Sequence, residues 1–189
     1  PDAPPPLPPL TVETGDLAFL DNGVPAQTAS AASGNYAMVG SVPIKNASRQ
    51  TLDTAALADG SFSAALSEQA PQVLIVHTHG SEAYTMPAGE EYAATGSFRT
   101  DDATRSVVRV GDEIAAVLSS YGISVLHDRT LHDSPSYNGA YARSLTSIEG
   151  YLEKYPSLSF VLDVHRDAVQ DASGQQYKLV SREEPHAAQ

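Results

Sequence analysis

The sequence predicts an α/β domain built on a mainly parallel sheet with helices on both faces. Three observations predict it. Short apolar runs at 72–76, 123–126 and 158–164 alternate with two longer segments of helical period. The first run, Val73-Leu74-Ile75-Val76, is apolar without alternation, as suits a strand buried on both faces. Each run ends in a histidine with a carboxylate close by, and open α/β sheets gather their ligands beyond the carboxyl ends of strands. The order strand, helix, strand, helix, strand is that of right-handed βαβ units.

The elements follow in order. Residues 1–10 carry Pro4-Pro5-Pro6 and Pro8-Pro9, which favours an extended, solvated chain. Residues 11–40 are rich in Ala, Ser, Gly and Thr and hold no period, so 1–41 reads as a disordered leader or linker ahead of a domain at 42–180. Val42-Pro43-Ile44-Lys45-Asn46 suits a short edge segment. Leu52, Ala55, Ala56, Phe62 and Leu66 suit one or two short helices, interrupted at Gly60. After the strand at 72–76, residues 85–99 contain Pro87, Gly89 and Gly96 and predict a long functional or mobile loop.

Asp101 or Asp102 can then cap a helix whose stripe is Val107, Val110, Ile114, Val117 and Leu118, and Gly122 ends it. Ile123-Ser124-Val125-Leu126 is the second strand, followed by His127-Asp128 and a connector holding His132 and Asp133. A second helix runs over 136–155 with Tyr141, Leu145, Ile148 and Leu152 as its stripe, and Pro156 follows it. The third strand is 158–164, a fourth fits 176–180 after the turn at Ser173-Gly174, and 181–189 is a polar tail.

Composition narrows the function. A chain of 189 residues can build a core without staples, and the absence of cysteine excludes disulfides and thiolate metal sites. The net charge of −12 argues against a nucleic-acid partner, which needs a basic surface. No run is long and apolar enough to span a bilayer.

The chemistry concentrates after the strands. His79 and Glu82 form an H-x-x-E pair, and His165 ends the third strand between Asp163 and Asp167. Zinc accepts imidazole nitrogen and carboxylate oxygen, and its catalytic sites use three protein ligands. The set His79, Glu82 and His165 meets that need and suits amide hydrolysis. His77 shares a strand face with His79 and is an alternative ligand; Asp102, at a helix start, is the rival to Glu82. Asp163 or Asp167 suits the hydrogen bond that orients a ligand imidazole, against a plain ion pair with Arg166. The bland alternative is that His77 and His79 only bond to loops. His127, Asp128 and Arg166 are candidates for substrate contact, with turn capping as the ordinary role of Asp128. Ser81 as a nucleophile ranks below the metal, since no G-x-S-x-G elbow surrounds it.

The ordered segments 71–79 with Glu82 and Tyr84, Arg99-Thr100-Asp101-Asp102, 107–113, His127-Asp128 with His132-Asp133, 135–141, Arg143-Ser144-Leu145 and 162–168 together resemble the stage II sporulation protein P family. The resemblance covers 42–180. It implies a peptidoglycan hydrolase that cleaves the N-acetylmuramoyl-L-alanine amide, with stem-peptide cleavage as a second activity, in septal wall remodelling and engulfment. It implies a zinc-amidase-like fold with His79 and His165 on the zinc histidines. By position the acidic ligand falls on Asp102; by spacing it falls on Glu82, which is preferred. It further implies an extracytoplasmic protein anchored through an N-terminal segment missing from this sequence, a glycan-cleaving partner and a membrane anchor protein. Family members carry a general-base glutamate on a late strand. Glu183 and Glu184 follow no apolar strand, so the chain is expected to be truncated before that residue, at Gln189. The competing expectation is an inactive fragment or wall-binding module that keeps the fold and the metal.

Overall fold

The computed structural model of the protein describes residues 26–28, 36–39, 42–46, 50–59, 66, 68–84, 89, 91–96 and 98–180. The proline-rich leader, Gly60, the middle of the 85–99 loop and the tail with Glu183, Glu184 and His186 lie outside them. In chain order the elements are β1 (Ala26–Thr28), β2 (Ala37–Val39), β3 (Val42–Ile44), α1 (Thr54–Ala58), β4 (Val73–Val76), α2 (Val107–Ser120), β5 (Val125–His127), α3 (Ala140–Lys154), β6 (Phe160–Asp163), β7 (Val169–Gln170) and β8 (Gln176–Val180).

β4 is the middle of a three-stranded sheet of order β5-β4-β6, parallel throughout. Val73 stands opposite Val125 on one side and Phe160 on the other. All four β4 residues are buried, as a continuous apolar run demands. From β4 the chain steps to one side to make β5, then crosses to the other to make β6. The β4–β6 boundary is therefore the topological switch point, beyond which open α/β sheets gather their ligands. Right-handed crossovers put α2 and α3 on opposite faces. The two residues after β4 report this directly. His77 packs under Gly111 of α2, whereas Thr78 Oγ1 lies 2.7 Å from Ser144 Oγ of α3.

Both helices meet the sheet through small residues. The buried residues of α2 are Val107, Val108 and Gly111, while Val117 of the predicted stripe is exposed. A Cβ on Gly111 would lie 2.5 Å from Nε2 of both His77 and His127, so only glycine allows this approach. The predicted cap is corrected as well. Ser106 is the N-cap and accepts the Val108 amide, because the chain first turns through Asp102, whose carboxylate takes the amide and hydroxyl of Thr104. In α3 the buried residues are Ala140 and Ser144, whereas Tyr141, Leu145 and Leu152 of the predicted stripe are exposed. β6 likewise leaves Phe160, Val161 and Leu162 exposed.

Two strands fall inside the stretch expected to be a disordered leader. β1 pairs in parallel with β8, which pairs antiparallel with β7. β2 pairs antiparallel with β3 in a separate compact unit, residues Ala29–Ala65. That unit also holds α1, a single short helix capped by Asp53. Among the described residues no helix is long and apolar enough to cross a membrane.

Candidate metal centre

The loop after β4 is held by its own backbone. The Glu82 amide donates to the His79 carbonyl at 3.0 Å, a turn that brings the two side chains to one side. Thr100 donates to the Ser81 carbonyl, Ala83 to Phe98, and Val107, the first residue of α2, to Glu82 at 2.8 Å. A Cβ on Gly80 would lie 2.8 Å from Leu131 Cδ2, so the loop sits tightly on the 128–139 connector. His165 arrives from the end of β6. There the Val164 amide donates to Val76, and His77 Nδ1 donates to the Val164 carbonyl at 3.0 Å.

These constraints bring His79, Glu82 and His165 together, one ligand atom from each lying within 4.8 Å of the others. Glu82 Oε1 is 3.8 Å from His79 Nδ1 and its Oε2 is 3.3 Å from His165 Nδ1. Tetrahedral zinc with bonds near 2.0–2.1 Å sets its ligand atoms about 3.3 Å apart, so the donors lie at or somewhat beyond the spacing that an ion would impose. The chemistry of the set suits it too. His79 is buried, and that burial pulls its pKa below the ordinary histidine value, which favours the neutral imidazole a metal needs.

Neighbours orient each donor. Asp163 Oδ2 lies 3.1 Å from His165 Nε2, while the Thr78 amide and hydroxyl donate to the same carboxylate at 2.8 and 2.7 Å. Burial pushes the Asp163 carboxyl up, but the Thr78 bonds and His165 outweigh it and its pKa falls below the usual aspartate value. Arg99 reaches Glu82 Oε1 at 3.4 Å and Asp133 Oδ2 at 2.8 Å. The Arg166 amide donates to Glu82 Oε2 at 3.2 Å. Its guanidinium is occupied by the carbonyls of Phe98 and Asp167, and its Nε is buried without a partner.

The other candidates lie elsewhere. His77 is not part of the cluster: it is fully buried on the α2 side, with Nε2 2.8 Å from His127 Nε2. His127 continues the chain through Nδ1, 3.1 Å from Asp112, which pairs with Arg129. Burial is the largest influence on both rings and lowers both pKa values, against the raising pull of Val164 on His77 and of Asp112 on His127. Asp128 is a buried cap that accepts the Thr130 amide and faces His132 at 3.2 Å. Thus neither His127 nor Asp128 reaches the cluster, and of the three substrate-contact candidates only Arg166 borders it. Asp102 is exposed and engaged by Thr104. Asp167 is exposed and accepts the Ala168 amide, leaving Asp163 as the carboxylate behind His165. Ser81 is buried, its hydroxyl donating to Asp133 Oδ2 at 2.6 Å, with no histidine bonded to it.

Thr78, Arg99, Asp133, Tyr137 and Tyr141 all lie in the segments that carry the resemblance, but none was expected beside the metal ligands. Tyr137 stacks on His79 with centroids 4.5 Å apart and planes at 11°, and Arg99 lies over the same phenol ring at 4.9 Å. Tyr141 meets His79 edge-on at 5.2 Å. Both tyrosines lie in the 135–141 segment that carries the resemblance, but Tyr141 was read as part of the helix stripe and Tyr137 as the start of the same helix.

Residues 24–182 match the family model described as Stage II sporulation protein P (SpoIIP). No curated protein and no solved structure matches the chain.

Proposed function

The chain belongs to the stage II sporulation protein P (SpoIIP) family, and from that premise we propose that it is a zinc-dependent N-acetylmuramoyl-L-alanine amidase. Its substrate is peptidoglycan, and the bond is the amide between the lactyl group of N-acetylmuramic acid and L-alanine. Stem-peptide bonds are a second target of the same chemistry. The observation that carries the reading is the convergence of two imidazoles and one carboxylate at the switch point of a parallel sheet. A doubly wound core with its donors on adjacent strand ends also supports a zinc-amidase-like arrangement.

His79, Glu82 and His165 would hold the metal. Bound there, zinc supplies a Lewis acid for a carbonyl and an acidified water for the attack. The remaining residues hold the donors in place. Asp163 fixes the His165 ring, and Arg99 with the Arg166 amide fixes the two oxygens of Glu82. Glu82 is thereby aimed between the two histidines rather than free to rotate into solvent. We assign no general base among the described residues. On this reading the protein works outside the cytoplasmic membrane in engulfment, beside a glycan-cleaving partner and a membrane anchor protein.

Zinc content after purification and dye release from labelled cell walls test the proposal together, with mass spectrometry of the products to identify the bond. The expected result is one zinc per chain, lost in His79→Ala and His165→Ala, and chelator-sensitive release with free L-alanine amino termini. Zinc binding without release would favour a wall-binding module. Release that resists chelation would overturn the metal reading.

A further inference from the structure

Two exposed tyrosines frame the candidate centre. Tyr137 is 56% and Tyr141 65% exposed, yet both rings touch His79. One is nearly parallel to the imidazole and the other nearly perpendicular, at 11° and 77°, so the two phenol rings meet at a steep angle. Among the described residues neither hydroxyl has a hydrogen-bond partner within the protein.

The loop that carries Tyr137 is firmly seated. The Arg143 guanidinium donates to the carbonyls of His132, Ser136 and Asn138. Asp133 takes the Ser81 amide and hydroxyl, at 3.1 and 2.6 Å, which ties this loop to the one holding His79 and Glu82. A rigidly presented aromatic beside a reactive centre offers contact area at small ordering cost.

What would such a rim take? The two cations nearest the cluster are already engaged: Arg99 by Glu82 and Asp133, and Arg166 by backbone carbonyls. An acidic peptide would thus find one guanidinium already paired with two carboxylates and the other held by backbone carbonyls with its Nε buried, and the −12 charge of the chain repels it at longer range. An uncharged ligand with a flat apolar face and hydroxyl groups meets neither obstacle. A pyranose ring presents C–H bonds to the negative π face of a phenol, and its hydroxyls can pair with the Tyr137 and Tyr141 O–H groups. We propose that Tyr137 and Tyr141 form the subsite that receives the sugar residue next to the scissile amide. The identity of the sugar rests on the peptidoglycan reading above; the preference for a neutral saccharide over an acidic peptide rests on the rim itself.

The test is equilibrium binding of two probes to the full chain in the presence of a chelator, where the metal-dependent cleavage proposed above can consume neither. One is the N-acetylglucosamine–N-acetylmuramic acid disaccharide with its lactyl carboxyl capped as a methylamide; the other is the sugar-free stem peptide. The disaccharide is expected to bind more tightly. Tyr137→Ala and Tyr141→Ala should each weaken it by about 2- to 12-fold, the range of one aromatic contact, while zinc content and thermal melting show the variants folded. Tyr137→Phe should retain most of the affinity through stacking. Sugar binding that needs the tyrosines, in a protein that releases no wall fragments, would leave the subsite standing and remove the hydrolase reading alone. Tighter binding of the peptide, or alanine variants that bind the disaccharide as the unaltered chain does, would overturn the subsite.

Discussion

Asp163 holds His165 from behind: its Oδ2 is 3.1 Å from Nε2, on the opposite side of the imidazole from the nitrogen that faces Glu82. The same carboxylate receives both polar hydrogens of Thr78, so one side chain locks the end of β6 to the end of β4. Loss of such an outer carboxylate typically lowers metal affinity about 10–100-fold, because the ligand ring loses its orientation and basicity. Asp163→Asn keeps the size and removes the charge. Its zinc affinity, measured by competition with a chromophoric chelator, should fall within that range. An affinity equal to that of the unaltered chain would rule out an orienting role for Asp163.

Gly111 gives a prediction in which two rules disagree in sign. Alanine in place of a mid-helix glycine normally stabilises a helix by about 1 kcal/mol. Here the new methyl would sit 2.5 Å from both His77 Nε2 and His127 Nε2, two rings bonded to each other. His77 cannot retreat without breaking its bond to Val164, nor His127 without giving up its 3.1 Å contact with Asp112. Overpacking of this kind costs about 1–3 kcal/mol and should win. Chemical denaturation of Gly111→Ala should show a lower midpoint; a higher one would mean that α2 does not press on the histidine pair.

The same pair sets a pH dependence. Burial lowers the pKa of His77 and of His127 below the value of 6.5 that applies in the unfolded chain. The unfolded chain therefore takes up protons first as the pH falls. Stability should be complete above about pH 6.5 and be lost as the pH drops from there through the folded-state values, with a slope of at most about 1.4 kcal/mol per pH unit for each ring. Urea titrations in chelator between pH 8 and pH 5 measure this without metal linkage. A stability that rises on acidification across that window would mean that the pull of Asp112 on the pair outweighs its burial.

How legible was this molecule in its sequence? The β4 run was plain, because four consecutive apolar residues have few other uses before a polar turn. The juxtaposition of His79, Glu82 and His165 was legible for a related reason: parallel strands end at one rim, so polar residues after two neighbouring strands must meet there. His127 shows where that logic stops. It too ends a parallel strand, but it points under α2, and a one-residue difference in register decides which face a side chain takes. In α2 Val107 is buried as its stripe predicted but Gly111 was missed, and the stripe of α3 was misjudged, because Gly111, Ala140 and Ser144 carry little hydrophobic signal although close approach needs their small size. The cap of α2 went to Ser106 because Asp102 was held by a local turn that competes with helix initiation. Arg99 and Asp133 meet from loops 34 residues apart, and no period records such a contact.

That last contact yields the sharpest stability prediction. Asp133 is almost completely buried, with 1% of its side chain exposed, and accepts from Arg99, the Ser81 amide and the Ser81 hydroxyl. Arg99 is 23% exposed and also bonds to Glu82, so it neutralises two carboxylates that would otherwise share one pocket. Removing one partner of a buried pair leaves a charge without compensation and costs about 3–5 kcal/mol; the partial exposure of Arg99 puts Arg99→Met at the lower end. Replacing both members is far milder in such pairs, because no buried charge is then left alone. Arg99→Met combined with Asp133→Leu should therefore recover part of the loss, although the Ser81 hydroxyl loses its acceptor and holds the recovery below completion. Denaturant midpoints of the two single variants and the double variant form the cycle. Additive losses would mean that Arg99 and Asp133 stabilise the fold independently, and the electrostatic account of the pocket would fail.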